Sequence, residues 1–163
     1  MEAFDVYNKD RKKLGYTKNR GESLNNSEYS IGVEVWLFYD NKLLLTKRSL
    51  KKSHPGKWEV PGGCGVKGEN SVDTLIREIK EEVGINLNNS CCNLLDTIIY
   101  KQQFVDIYKY DLKSLPKIKL QYDEVIDILF VSKDEFLSMV HDSIVVESVV
   151  NRYLIIQDKL NWL

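Results

Sequence analysis

The chain has 163 residues, enough for one domain of ordinary size with a substantial core. Its 23 basic and 24 acidic residues are interspersed and leave a net charge of −1, so nothing marks a nucleic-acid or anionic-membrane surface. No apolar run approaches the length of a membrane span.

In chain order, residues 4–7, a turn over 8–11 and residues 14–17 read as a hairpin, within an N-terminal extension over 1–22. The polar start of the chain is unlike a signal peptide, which is basic and then apolar, so a cytoplasmic location is expected. Residues 29–39 form a long strand with Ile31, Val33, Val35 and Leu37 on one face. Glu34, Trp36 and Phe38 lie on the other, and apolar groups on both faces mark a central strand. Trp36 and Phe38 are read as core, with base stacking as the alternative.

Asp40-Asn41 turns into a strand over 42–47 that ends in Lys47-Arg48. A short strand over 58–60 leads into the loop Pro61-Gly62-Gly63-Cys64-Gly65. A helix follows over 71–83, begun by Asn70 or Ser71, with Asp73 near a capping-box position and Gly84 as left-handed cap. Val72, Leu75, Ile76, Ile79 and Val83 form its apolar face. Strands are expected over 93–100, 104–112 and 125–131, the last of them buried, with a variable loop over 113–121. Cys91 and Cys92 are read as reduced strand residues, and His54 and His141 as polar loop residues. Ser132 caps a helix over 134–140, and Val145, Val149, Tyr153, Ile156 and Leu160 stripe a final helix. Strands flanked by helices on both sides give an α/β/α sandwich around a mixed sheet, a single domain over 1–163.

The chemistry concentrates in the first helix. Glu78, Glu81 and Glu82 stand at i, i+3 and i+4, so their carboxylates share one strip. Like charges at that spacing cost roughly 0.2–0.5 kcal/mol per pair. Arg77, four before Glu81 and four after Asp73, is the one arginine placed to relieve them. An oxygen-rich anionic strip suits a hard cation such as Mg²⁺ or Mn²⁺. The glycine loop lets backbone approach a phosphate or offer a carbonyl to a metal.

As a pattern, residues 63–85 read Gly63, five residues, Glu69, seven residues, then Arg77-Glu78-Ile79-x-Glu81-Glu82-x-Gly84-Ile85. Chance would supply that pattern on the order of once in 10⁷ chains of this length. The segment resembles the Nudix box of the Nudix hydrolases, which cut diphosphate linkages with a metal-loaded helix. Trp58 with Pro61-Gly62-Gly63, and Leu43–Ser49 with its basic pair, are similar to flanking family segments. Asp5-Val6-Tyr7, Leu14-Gly15 and Arg20-Gly21-Glu22 resemble a bacterial subgroup related to isopentenyl-diphosphate isomerase.

The resemblance implies that Glu78, Glu81, Glu82 and the Gly63 carbonyl hold Mg²⁺, with Mn²⁺ as a substitute, and that Arg77 orients the glutamates. It implies a small-molecule diphosphate as substrate, and a homodimer is compatible with it. Glu69 is read as fixing the loop against the helix start. Glu124 is the leading candidate for a further carboxylate acting as base or ligand, with Asp123 and Asp127 as rivals. Gly62, Gly63, Lys47 and Arg48 are candidate substrate contacts, the two cations having a plain edge-charge alternative. Two other functions stand beside hydrolysis: an isomerase, and a catalytically silent ligand-binding domain. The isomerase cysteine would align with Gly62, while Cys64 lies two positions on.

Overall fold

The alternation of apolar residues along Ser30–Tyr39 makes that strand the spine of the molecule. A computed structural model describes residues 2–163; Met1, part of the expected extension, lies outside the described residues. The chain opens with β1 (Ala3–Tyr7) and β2 (Lys13–Asn19), paired antiparallel as a separate two-stranded sheet. Next come β3 (Ser30–Tyr39), β4 (Lys42–Arg48), β5 (Trp58–Glu59) and β6 (Gly62–Cys64). The order then runs α1 (Ser71–Val83), β7 (Asn93–Tyr100), β8 (Gln103–Asp111), β9 (Val125–Val131), α2 (Lys133–His141) and α3 (Glu147–Leu160). Among the described residues, seven strands, β3 to β9, form the main sheet.

That sheet is mixed. β3 runs parallel to β8 from Ser30↔Gln103 to Phe38↔Asp111 and antiparallel to β4 and β6. Contact with β4 is confined to Phe38↔Leu43 and Tyr39↔Lys42, while β6 takes the first half of the same edge. The sheet therefore splits between β4 and β6, with Val35 N–H donating to the Pro61 carbonyl at the divide.

The two faces of β3 feed two cores. Val33, Val35 and Leu37 pack against Leu75, Ile79 and Val83 of α1. Those three helix residues are fully buried, worth about 1.5–3 kcal/mol each. Trp36 and Phe38 belong to the opposite core with Phe136, Tyr153 and Ile156 of α2 and α3. Trp36 meets the Phe136 ring edge-on at 5.8 Å, so core packing, not base stacking, is its role. Helices thus cover both faces of a mixed sheet, as expected. No helix among the described residues is long and apolar enough to cross a membrane.

Four local expectations need correction. β9 alternates in burial because it lies on the outer edge of β4, so it is not fully buried. Cys91 and Cys92 sit in and just after a 3₁₀ turn over Asn89–Cys91, ahead of β7. The glycine run contains a strand, β6, because β3 offers Gly32–Glu34 as a template. His141, read as a loop residue, is the last residue of α2. Residues 113–121 form the expected loop, in which Lys119 and Gln121 N–H donate to the Val83 and Glu82 carbonyls, closing the end of α1.

Candidate active site

α1 begins and ends where its sequence dictates. Asn70 Oδ1 accepts from Asp73 N–H at 2.8 Å and Asp73 Oδ2 accepts from Asn70 N–H, a reciprocal capping box. Gly84 closes it at φ 76°, and a side chain there would press on Lys119. With both ends fixed, the apolar stripe faces the sheet and Arg77, Glu78, Glu81 and Glu82 are carried towards β6.

Arg77 is the hub of that face. Its guanidinium bonds Glu69, Glu78 Oε1 at 2.9 Å, Glu81 Oε2 at 3.2 Å and the Cys64 carbonyl at 2.9 Å. It is more than a surface partner for Glu81, since it ties the box loop, the helix and β6 together. Asp73 stays with the cap. Glu69 also accepts from Thr74 Oγ1 at 2.8 Å and Val66 N–H at 3.3 Å. Burial raises the Glu69 carboxyl, but these bonds outweigh it and leave it below its ordinary value. That is the loop-fixing role expected for Glu69.

The three strip glutamates differ sharply. Glu81 is 47 % exposed at its side chain, whereas Glu82 is only 7 % exposed. Burial, then the nearby charges of Glu78 and Glu59, push the Glu82 carboxyl well above the ordinary range, against the pull of Lys52 and the Gly62 N–H. Glu78 is also raised, by burial first, with Arg77 opposing and Glu81 adding to the rise. The Glu78 carboxylate lies so close over Gly63 that a Cβ there would overlap it. Gly62 has its own constraint: a Cβ would collide with the Val33 carbonyl. The backbone clash holds position 62 to glycine, whereas a side chain at 63 would displace the Glu78 carboxylate.

Gly62, Gly63, Glu78, Glu81 and Glu82 line one cavity of about 320 Å³, and Arg77 and Glu124 line it too. Glu124 pairs with Lys52 at 2.7 Å. Its rivals lie elsewhere: Asp123 is 80 % exposed and pairs with Lys51, and Asp127 accepts from the Ile128 N–H. A second cavity of about 210 Å³ shares Lys52, Gly62, Gly63 and Cys64 with the first. Arg48 lines this second space, with its guanidinium on Glu59 at 2.7 Å and on the Ser53 carbonyl at 2.6 Å. Lys47 does not join the group; its ammonium lies 5.7 Å above the Trp58 ring.

Several lining residues carried no sequence signal. Glu34 and Arg152 form a buried 2.7 Å ion pair beside the second cavity, though 118 residues separate them. Lys52 lies in a polar stretch with no motif, and Glu2 arrives from the hairpin end beside Arg20, whose segment the sequence marked only by resemblance. Topology alone brings these together.

A carboxylate-bearing helix set against a glycine strand, with cations around the rim, defines a site for a polyanionic substrate. A family model described as the NUDIX domain matches residues 28–143, and the chain belongs to the Nudix family as a Nudix diphosphate hydrolase. An uncharacterized Nudix hydrolase of Listeria monocytogenes is 34% identical over 140 residues, 83% of this chain and 82% of that protein. A solved structure of DR0079 from Deinococcus radiodurans superposes with a TM-score of 0.72 at 17% identity, covering 89% of this chain and 92% of that one. A bifunctional NMN adenylyltransferase/ADP ribose pyrophosphatase of Francisella tularensis, complexed with AMP and a Mn ion, gives a TM-score of 0.68 at 18% identity. It covers 82% of this chain and 42% of that one. At such identities the two structures speak for the fold.

Nudix hydrolases generally use divalent metals. As the side chains stand, no three His, Cys, Asp or Glu residues among those described converge closely enough to hold an ion. In this arrangement Arg77 pairs with Glu78 and Glu81, while Glu82 is buried. The donors nevertheless fit a hard ion. They are all oxygen, and Glu82 is a buried carboxylate held by a backbone N–H and facing like charges. A divalent ion there would offset the burial and the like charges that raise it.

Proposed function

We propose that the chain is a divalent-metal-dependent hydrolase of a diphosphate linkage, in a nucleoside diphosphate linked to X or a related organic diphosphate. Mg²⁺ is the working ion and Mn²⁺ a substitute. The observation that carries this reading is Glu82, a buried carboxylate crowded by Glu78 and Glu59 in a cavity whose rim bears cations. An ion held by Glu78, Glu81, Glu82 and the Gly63 carbonyl would polarise a phosphoryl oxygen and bring the pKa of water towards neutrality.

The remaining work falls to the chain. Arg77 keeps Glu78 and Glu81 on the cavity side of α1. Glu124, at the far wall, accepts the proton of the attacking water, and Lys52 beside it meets the negative charge of the phosphates. Arg48 and the Gly62–Gly63 backbone line the path by which the rest of the substrate leaves the cavity. Hydrolysis is favoured over double-bond migration because the slot for the isomerase cysteine is Gly62, where no side chain fits.

The test is a panel of diphosphates with Mg²⁺, scored by phosphate or pyrophosphate release, with chelator and Glu82→Gln as controls. Turnover should vanish with chelator and fall by about 10² or more in Glu82→Gln. Full-rate hydrolysis after metal removal would sink the reading. Conversion of isopentenyl to dimethylallyl diphosphate, lost in Cys64→Ala, would replace it with the isomerase.

A further inference from the structure

The family match covers residues 28–143, yet the cavity holding Glu78, Glu81 and Glu82 is also lined by Glu2 and Arg20. Both belong to the hairpin end, and the hairpin is firmly seated. Tyr7 and Tyr29 exchange two backbone hydrogen bonds at 2.8 Å, and Lys67 N–H donates to the Ala3 carbonyl at 2.8 Å. Gly68 N–H donates to Asp5 at 2.9 Å, and Arg11 at the hairpin turn grips Asp106 of β8 at 2.7 Å. Arg20 follows β2 in a tight turn. Gly21 adopts φ 95°, Glu22 N–H returns to the Asn19 carbonyl, and Arg20 N–H bonds the Glu2 carbonyl at 2.9 Å. Its backbone is thus fixed while its side chain reaches the cavity.

The cations of that cavity are not equivalent. Arg77 is committed to three carboxylates and a carbonyl, and Lys52 is paired with Glu124. The Arg20 guanidinium is paired with Glu2 at 3.0 Å, where the two side chains are 42 % and 61 % exposed. An exposed pair of that kind is weak and readily exchanged. A guanidinium is also the side chain best matched to two phosphate oxygens at once.

We propose that Arg20 is a substrate-binding residue that grips a phosphate of the diphosphate from the hairpin side of the cavity, giving up Glu2 to do so. The inference rests on the diphosphate-hydrolase reading. It makes the hairpin a wall of the active site, and Glu2 a stand-in for the phosphate.

Binding of methylene diphosphonate, a diphosphate that cannot be hydrolysed, is measured by calorimetry with Mg²⁺ on the full chain. Affinity should fall about tenfold in Arg20→Ala, recover in part in Arg20→Lys, and hold or improve in Glu2→Gln. KM for the best panel substrate should rise in parallel with the loss in Arg20→Ala. The melting temperature should stay level in all three variants, since an exposed pair contributes little. Equal affinity in the wild type and Arg20→Ala overturns the role of Arg20 while hydrolysis by the wild type still stands. A loss in Glu2→Gln as large as in Arg20→Ala also overturns it, because the pair would then matter only as scaffold. Absence of metal-dependent hydrolysis in the wild type removes the underlying reading.

Discussion

Lys52 Nζ lies 2.7 Å from Glu124 Oε2, and both residues line the cavity that contains Glu78, Glu81 and Glu82. The pair joins the segment after β4 to the start of β9. A register shift makes it possible: Lys47 faces Asp127, Arg48 faces Val125, and Ser49 N–H then donates to the Glu124 carbonyl. That shift turns Glu124 inward and leaves Asp123 outside. The two walls of the cavity therefore hold unlike groups, acidic on α1 and a paired acid and base opposite.

Arg77→Ala should damage both fold and site. Glu69 and Glu78 would lose their counter-charge at half-buried positions, at a cost of about 1.5–3 kcal/mol. Arg77→Lys should recover little, because one ammonium cannot serve Glu69, Glu78, Glu81 and the Cys64 carbonyl together. Urea unfolding alongside turnover reads both effects; a lysine variant equal to wild type in both would show that geometry does not matter here.

Stability in acid should depend on Glu28. The Lys18 ammonium, then the Tyr16 hydroxyl and Asn25 N–H, hold this carboxyl at about 2 against an ordinary value of 4.5. Between those values the unfolded chain binds the proton and the folded chain does not. The contribution is complete above about 4.5 and is lost as pH falls towards about 2. Glu28→Gln should melt below wild type at pH 7, with the gap closing as pH falls through that window. Melting curves across the range check it, and a gap that does not change with pH would contradict it.

How far the sequence spoke depended on range. α1 was legible to the residue because Asn70, Asp73, Gly84 and the apolar stripe all act within the helix. β3 was legible for the same reason, its alternation being local. β6 was hidden because glycine has no strand preference of its own, and only pairing with β3 makes Gly62–Cys64 extended. Arg152 and Lys52 were hidden because partners far along the chain bring them to the cleft. The burial of Glu82 beside the exposed Glu81 follows helical spacing, since Glu82 stands seven after Leu75 and three after Ile79, on the stripe that faces the sheet.

Gly62→Ala should destabilise by about 1–3 kcal/mol, because its Cβ would drive against the Val33 backbone carbonyl and part β6 from β3. Gly65→Ala provides the comparison, since its Cβ would come no closer than 3.3 Å to the Thr74 hydroxyl and 3.5 Å to the Ile31 carbonyl. Denaturant unfolding of the two variants decides the matter. If Gly62→Ala is as mild as Gly65→Ala, the close approach of β3 and β6 is not what requires glycine there.

The most exacting prediction concerns Glu124 as the base. The α1 glutamates approach a substrate from one wall, and a water must be deprotonated from another. Glu124 is the carboxylate of the three candidates that lines the cavity, and its pairing with Lys52 fixes where its oxygens sit. Glu124→Gln keeps the size and most of the polarity but cannot accept the proton. It should therefore lower kcat by roughly 10²–10⁴ with little change in KM. Asp123→Asn breaks only an exposed pair with Lys51, and Asp127→Asn only a local bond to Ile128 N–H, so both should lose less than about threefold. Lys52→Ala should raise KM as well as lower kcat, because it removes a cation from the substrate's side of the cavity. The four variants are compared at saturating Mg²⁺ on one substrate. A large loss at Asp123 or Asp127 with Glu124 unaffected would move the base, and no loss at any of the three carboxylates would return that role to the glutamates of α1.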